Sequence, residues 1–190
     1  MEFTTDRDIL ANTLLYVINR VRNPDRHRVA KVLYLADKCH LERYGLPITG
    51  DRYIKMHHGP MPSLTSDTLR ALGGEHHPNT PEVSELAARL EGALYVEGQT
   101  LQAGQTADPN ELSDSMIECL DDVISDYDTL YVNGATDLSH DAAWESTALH
   151  QIIPVERIVA TLKDSELLLD YLRDPHGLNT SEQESATKAV

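Results

Sequence analysis

The residues of this chain that could do chemistry are its histidines, a few carboxylates and one cysteine-histidine neighbour pair. The stretch DRYIKMHHGPMPS, residues 51–63, sets His57 and His58 side by side ahead of Gly59, Pro60 and Pro62. The run from Tyr53 to His58 reads as a short strand, on which successive side chains point to opposite faces, so the two rings are not expected to grip one ion together. His76 and His77 fall in the loop-like GGEHHPNTP without a cysteine or carboxylate at a recognised ligand interval, and the chain has no His-Glu-x-x-His helix. Neither a metal nor any other cofactor is expected. Cys39 and His40 are neighbours on a helical pattern, where adjacent side chains diverge by about 100° and do not form a dyad. No Gly-x-Ser-x-Gly elbow, phosphate-binding glycine loop or dinucleotide fingerprint occurs. Asp37, Asp51 and His140 are left. They can meet in space as an acid-base group, which is the basis of a hydrolase reading, or satisfy one another's hydrogen bonds as a structural network. The expectation is a protein that is not an enzyme, with that hydrolase as the contending class.

The elements that must position these residues are mostly helical. Ile9, Leu10, Thr13, Leu14, Val17, Ile18 and Val21 recur at steps of three and four and predict one apolar stripe on a first helix that ends before Pro24. A second helix carries Val29, Val32, Leu33, Ala36, Cys39 and His40 on one face and stops near Tyr44-Gly45, since glycine tolerates the left-handed cap conformation. The passage from Tyr53 then predicts strand, stiff corner and a helix to about Leu72, with Pro62 suited to the first helical turn. VSELAARLEGAL resumes a helical period, LYVEGQTLQAG suggests two short strands around Glu97-Gly98, and a longer helix runs from about Ser113 with Ile117, Leu120, Val123, Ile124, Tyr127 and Tyr131 inward. Leu138, Ala142 and Trp144 predict a short inward-packed turn, and IPVERIVATLKDSELLLDYLRD closes the ordered part as helix broken near Asp164-Ser165. The whole reads as a mainly α fold with a minor β part: one compact multi-helix domain over residues 1–174 with a small hairpin or short sheet, then a polar, mobile tail over residues 175–190.

Charge narrows the function. The 190 residues hold 31 acidic against 16 basic side chains, a formal net charge of −15. Such a surface repels phosphate backbones and anionic lipid and steers basic partners inward, so neither nucleic acid nor membrane is an expected partner. The one basic cluster, Arg20, Arg22, Arg26, His27, Arg28 and Lys31, straddles a turn at Asn23-Pro24-Asp25 and reads as a solvated connection between helices. Asp114, Glu118, Asp121, Asp122 and Asp126 form an acidic helix face, either solvated or open to a basic partner. No apolar run of membrane-spanning length and no secretory pattern is present, and Cys39 and Cys119 read as small buried core residues, which places the chain in the cytoplasm.

The block KVLYLADKCHLERYGLPITGDRYIKMHHGPMPS resembles the signature of the Panacea domain, the SocA-like antitoxin family that also includes phage-associated proteins. The resemblance continues through Leu112-Ser113, LSHDAAW and IIPVERIV, and so covers about residues 8 to 163. It implies a mostly helical domain that binds a protein toxin and neutralises it by direct contact. In the SocA branch it further implies an adaptor that presents the toxin to a ClpXP-type protease. Tyr34, Asp37, Tyr44, Gly45, Asp51, Tyr53, His58, Gly59, Pro60, His140 and Trp144 occupy the motif positions, and Tyr34, Asp37, Asp51, Tyr53, His58, Gly59, Pro60, His140 and Trp144 read as one polar and aromatic cluster that is either structural or binding. Arg52, Lys55, Met56, His57 and Met61 are the expected exposed contacts to a toxin of basic character, methionine being suited to a face that meets varied partners. The sequence carries little beyond the family's core apart from the acidic tail, which leaves open whether an appendage or the core surface selects the partner.

Overall fold

The structure, a computed structural model, describes residues 2–108, 110–131 and 137–174; the expected tail at 175–190 and the side chain of Tyr131 lie outside them. Helix α1 (Arg7–Arg20) starts where the Asp6 carboxylate accepts the N–H groups of Asp8 and Ile9, which satisfies two of the donors a helix start leaves unpaired. The single expected stripe is too narrow. Ala11, Leu15 and Tyr16 are buried along with Leu10, Leu14 and Val17, because the helix is packed on several sides by α2 (Arg26–Tyr44), α4 (Pro81–Leu90), α5 (Asp114–Tyr131) and strand β4 (Thr100–Ala103).

Helix α2 is the pillar of the molecule. Asp25 caps its start through the N–H of Arg28, and Gly45, at φ +78°, ends it in the left-handed region. Val29, Val32 and Leu33 enter a large core shared with α1, α4, α5 and the hairpin of β3 (Leu94–Glu97) with β4. Tyr34 enters a smaller core with Tyr53, Ala143, Ile153 and Ile158. The fold is mainly α with a minor β part, as the periodicity predicted; that β part is two small antiparallel hairpins where one was expected.

The second hairpin corrects the reading of the histidine stretch. Strand β1 (Tyr53–Met56) pairs with β2 (Gly59–Pro62) in the register Tyr53↔Pro62, Ile54↔Met61, Lys55↔Pro60 and Met56↔Gly59, so His57 and His58 form the two-residue turn and are not strand residues. Prolines are tolerated in β2 for a reason visible across the ladder. Tyr53 and Lys55, the residues opposite them, spend their backbone groups on the other side. Tyr53 O accepts from Ile153 N–H, and Lys55 bonds Gln151 O and His150 N–H. Residues 150–153 thus run along the outer edge of β1, bridged at Ile54↔Ile152, and the missing proline N–H groups leave no partner unpaired.

Helix α3 (Ser63–Leu72) follows at once, and its N-cap residue is Pro62, which has no side chain to cap with. The carboxylate of Asp51 supplies the cap from across the hairpin: its oxygens accept the N–H of Leu64 at 3.0 Å and of Thr65 at 2.9 Å. After α5 come a short 3-10 turn, α6 (Ala142–Glu145), α7 (Val155–Val159) and α8 (Ser165–Arg173).

Three further expectations change. Leu138 and Ala142 are exposed, and Ser139 and Ala143 are buried in their place with Trp144 half-buried beside them; one turn of helix is too short for a period to fix its inward face. The basic cluster is not merely solvated. Arg26 pairs with Glu75 at 2.5 Å and reaches Leu69 O, while Arg28 pairs with Asp25 and donates to Arg22 O and Asn23 O. The acidic face of α5 is likewise engaged, Arg43 holding Glu118 and Asp122, and Tyr16 and Arg20 holding Asp121.

Removing the remote cap should loosen α3 selectively. Asp51→Ala is expected to lower stability by about 1–2 kcal/mol in urea denaturation, with faster hydrogen exchange at Leu64 and Thr65.

Candidate functional site

The motif residues split into two linked groups around α2. The first is centred on Asp37, which is 3 % exposed. One of its oxygens accepts the N–H of Ile48 at 2.9 Å and of Thr49 at 2.8 Å; the other accepts the hydroxyls of Thr49 and of Tyr53, the latter at 2.8 Å. A single carboxylate thereby ties α2 to the loop after it and to the first residue of the hairpin. Burial pushes the Asp37 carboxyl up from 3.8 to about 6, against the pull of its four hydrogen bonds. Burial also raises the Tyr53 and Tyr34 hydroxyls, each further raised by its partner carboxylate, so both act as neutral donors. Their rings meet edge to face at 5.0 Å.

The second group joins α2 to the hairpin turn through Asp141. One Asp141 oxygen caps α6 by accepting the N–H of Ala143 and Trp144; the other takes the Tyr34 hydroxyl at 2.9 Å and the Lys38 ammonium. This places Trp144 so that its indole N–H donates to Met56 O at 3.0 Å, its ring lies 3.9 Å from the His140 ring in a parallel stack, and the Lys55 ammonium sits 4.3 Å above it. Gly59 lies against His140. At φ +120° it occupies backbone space closed to other residues, and a Cβ there would come within 3.1 Å of Ser139 Oγ.

Asp37, Asp51 and His140 therefore do not converge. Among the described residues none of their hydrogen bonds joins one to another: Asp37 is filled by Ile48, Thr49 and Tyr53, Asp51 by Arg52, Leu64 and Thr65, and His140 is stacked on Trp144. Carboxylates saturated in this way brace backbone. The described residues also contain no group of three or more histidine, cysteine, aspartate or glutamate side chains arranged to hold a metal.

The surface candidates fare unevenly. Arg52 and His57 are exposed, whereas Lys55, Met56 and Met61 are half-buried. The Lys55 ammonium lies over Trp144, Met56 accepts the indole N–H through its backbone oxygen, and Met61 lines a cleft of about 160 Å³ with His27 and Leu69. His58, assigned to the motif cluster, is exposed, with His27 5.7 Å away; His57 has His150 at 6.1 Å. Tyr44 lies outside the cluster, its hydroxyl bonded to Glu118 on α5. Cys39 and Cys119 are free thiols in the α2–α5 interface, and burial, with a bond to Cys39, pushes the Cys119 thiol up to about 12. Sequence reasoning missed Asp141, Lys38 and Thr49. Asp141 had a signal, an aspartate directly before a short helical AAWE, which is the N-cap pattern; the other two had none.

The raised Asp37 carboxyl has a signed consequence. The folded state holds its proton more tightly than the unfolded chain, so the contribution is full below about pH 4 and is lost as pH rises through about 6. Urea denaturation of the wild type and of Asp37→Asn should show their stability difference shifting in favour of the wild type by about 2 kcal/mol between pH 7 and pH 4. A difference that stays flat or shifts the other way contradicts the assignment.

No curated protein and no solved structure matches the chain. A family match exists over residues 29–145, more than half of the sequence, running from the first turn of α2 to the end of α6 and so enclosing Asp37, the hairpin, Asp51, Asp141 and Trp144. That family is described as antitoxin SocA-like, Panacea domain, and the chain belongs to it.

Proposed function

We propose that this chain is an antitoxin that captures a cognate protein toxin by direct contact, without catalysing any reaction. Family membership supports an antitoxin role and a protein partner. The observation that carries the finer reading is the braced hairpin. Its turn, His57-His58, is exposed, while the elements behind it are tied by hydrogen bonds: Tyr53 to Asp37, Met56 to Trp144, and the start of α3 to Asp51. A projecting turn held from three directions loses little conformational entropy on docking, and that raises affinity for a given contact area. Arg52, His57, His58 and Met61 are the side chains this platform offers, with Lys55 and Met56 as its support.

Charge suits the same reading. A net charge of −15 favours encounter with a basic toxin and would make association faster at low salt. No helix of the described residues is long and apolar enough to cross a membrane, so a membrane-active toxin would be met from the aqueous side.

Co-expression with the product of an adjacent gene tests the proposal. The chain should restore growth in proportion to its amount, and rescue should fail once the toxin is in excess. His57→Glu and Met61→Glu should each weaken capture by about tenfold or more, while circular dichroism and solubility stay at wild-type values. Full rescue by both folded variants would remove the hairpin as the contact surface. Faster loss of the toxin protein in the presence of the chain would assign the adaptor role toward a ClpXP-type protease.

A further inference from the structure

Cys39 stands on α2 and Cys119 on α5, and they are the two cysteines of the whole chain. Contacts on either side of them fix how the two helices face each other. His40 Nε2 lies 3.1 Å from Ser115 Oγ, and Arg43 reaches Glu118 at 2.9 Å and Asp122 at 2.7 Å. Residues four apart share a helix face, so Cys39 lies on the row of Arg43 and Cys119 on the row of Ser115. The seam between those rows brings the two sulfurs together: Cys39 packs against the core cluster that contains Cys119, and the two side chains interact. Both are free thiols.

Their surroundings differ in a way that matters for reactivity. Cys119 is fully buried, and burial pushes its thiol up to about 12. A thiol held protonated in the core is inert toward reagents in solution. Cys39 is half-buried, so a small oxidant can reach it, and the Arg43 guanidinium stands close enough to act on both sulfurs. One sulfur is placed to meet an oxidant and the other to resolve the product, which is the arrangement that stops oxidation at a reversible stage.

We propose that Cys39 and Cys119 form a modification site, at which a peroxide converts the two thiols to a disulfide that staples α2 to α5. In the first step the Cys39 sulfur attacks one peroxide oxygen; the S–O bond forms, the O–O bond breaks, and the departing hydroxide leaves as water with the thiol proton. In the second the Cys119 sulfur attacks the Cys39 sulfenic acid; the S–S bond forms, the S–O bond breaks, and hydroxide leaves as water with the Cys119 proton. Two thiols are oxidised and one peroxide is reduced to two waters. The crosslink joins residue 39 to residue 119 and so closes a long loop, which removes conformational freedom chiefly from the unfolded chain. It also runs through the helix that carries Asp37, so the oxidised chain keeps its central helix on the core under heat that opens the reduced one.

The test exposes the reduced full chain to hydrogen peroxide, removes the excess with catalase, and reads intact mass and thermal unfolding. The product should be a monomer about 2 Da lighter than the reduced chain and unreactive toward iodoacetamide. Its melting temperature should be raised by about 5–15 °C, and dithiothreitol should restore both thiols and the lower melting temperature. Cys119→Ala should stop at a sulfenic acid on Cys39 that dimedone traps, and Cys39→Ala should leave Cys119 unmodified in the folded protein. An unchanged mass, a monomer that gains oxygen without losing hydrogen, a disulfide-linked dimer as the main product, or a crosslinked monomer that melts no higher than the reduced chain overturns the proposal. Should either alanine variant not fold, the mass and melting temperature of the wild type decide.

Discussion

The fold around the candidate surface depends on one buried carboxylate. Asp37 stands on the central helix and gathers two backbone N–H groups and two hydroxyls from the segment that follows it. Burying a charge is costly, and the raised carboxyl records that cost; four donors offset enough of it to keep the group in place. Leaving any donor unmet in a buried site is worse than the bond is good, so the loop at residues 46–52 has one arrangement available. That arrangement puts Asp51 where it caps α3 and Tyr53 where it starts the hairpin. Conformational choice thus passes from α2 to the loop, from the loop to the hairpin, and from the hairpin to α3.

A second carboxylate repeats the device on the other side. Asp141 holds α6 by its N–H groups and α2 by Tyr34 and Lys38, and so carries Trp144 to the hairpin turn. The exposed histidines of the turn then stand at the end of a braced assembly.

Much of this was legible in the sequence, and the parts that were not share a cause. Helices α1, α2 and α5 announced themselves because long periodic runs average out local exceptions, and Gly45 marked the end of α2 because few other residues take φ near +78°. The motif cluster was identified as a set of residues, and its members do lie on the elements around the hairpin. What could not be read was who bonds whom. Asp37, Asp51 and His140 looked like one group, yet each answers to different backbone groups, and those partners are set by where the loop and hairpin cross α2. The His57-His58 turn was misread as strand because two prolines two residues apart discourage a ladder; only the third segment at residues 150–153, bonding Tyr53 and Lys55 from outside, explains why they fit. Leu138 and Ala142 went astray because a single helical turn has no period to read.

Hydrogen exchange of the free protein, followed at the amides of Ile48, Thr49, Leu64 and Thr65, tests most directly whether the platform exists before any partner arrives. The account predicts that these four are among the slowest-exchanging amides outside the cores of α1 and α2, since each is held by a carboxylate that nothing else can replace. If they exchange at the rate of an unstructured chain, the hairpin is ordered only on contact with its partner, and the claim of a preformed docking surface is wrong.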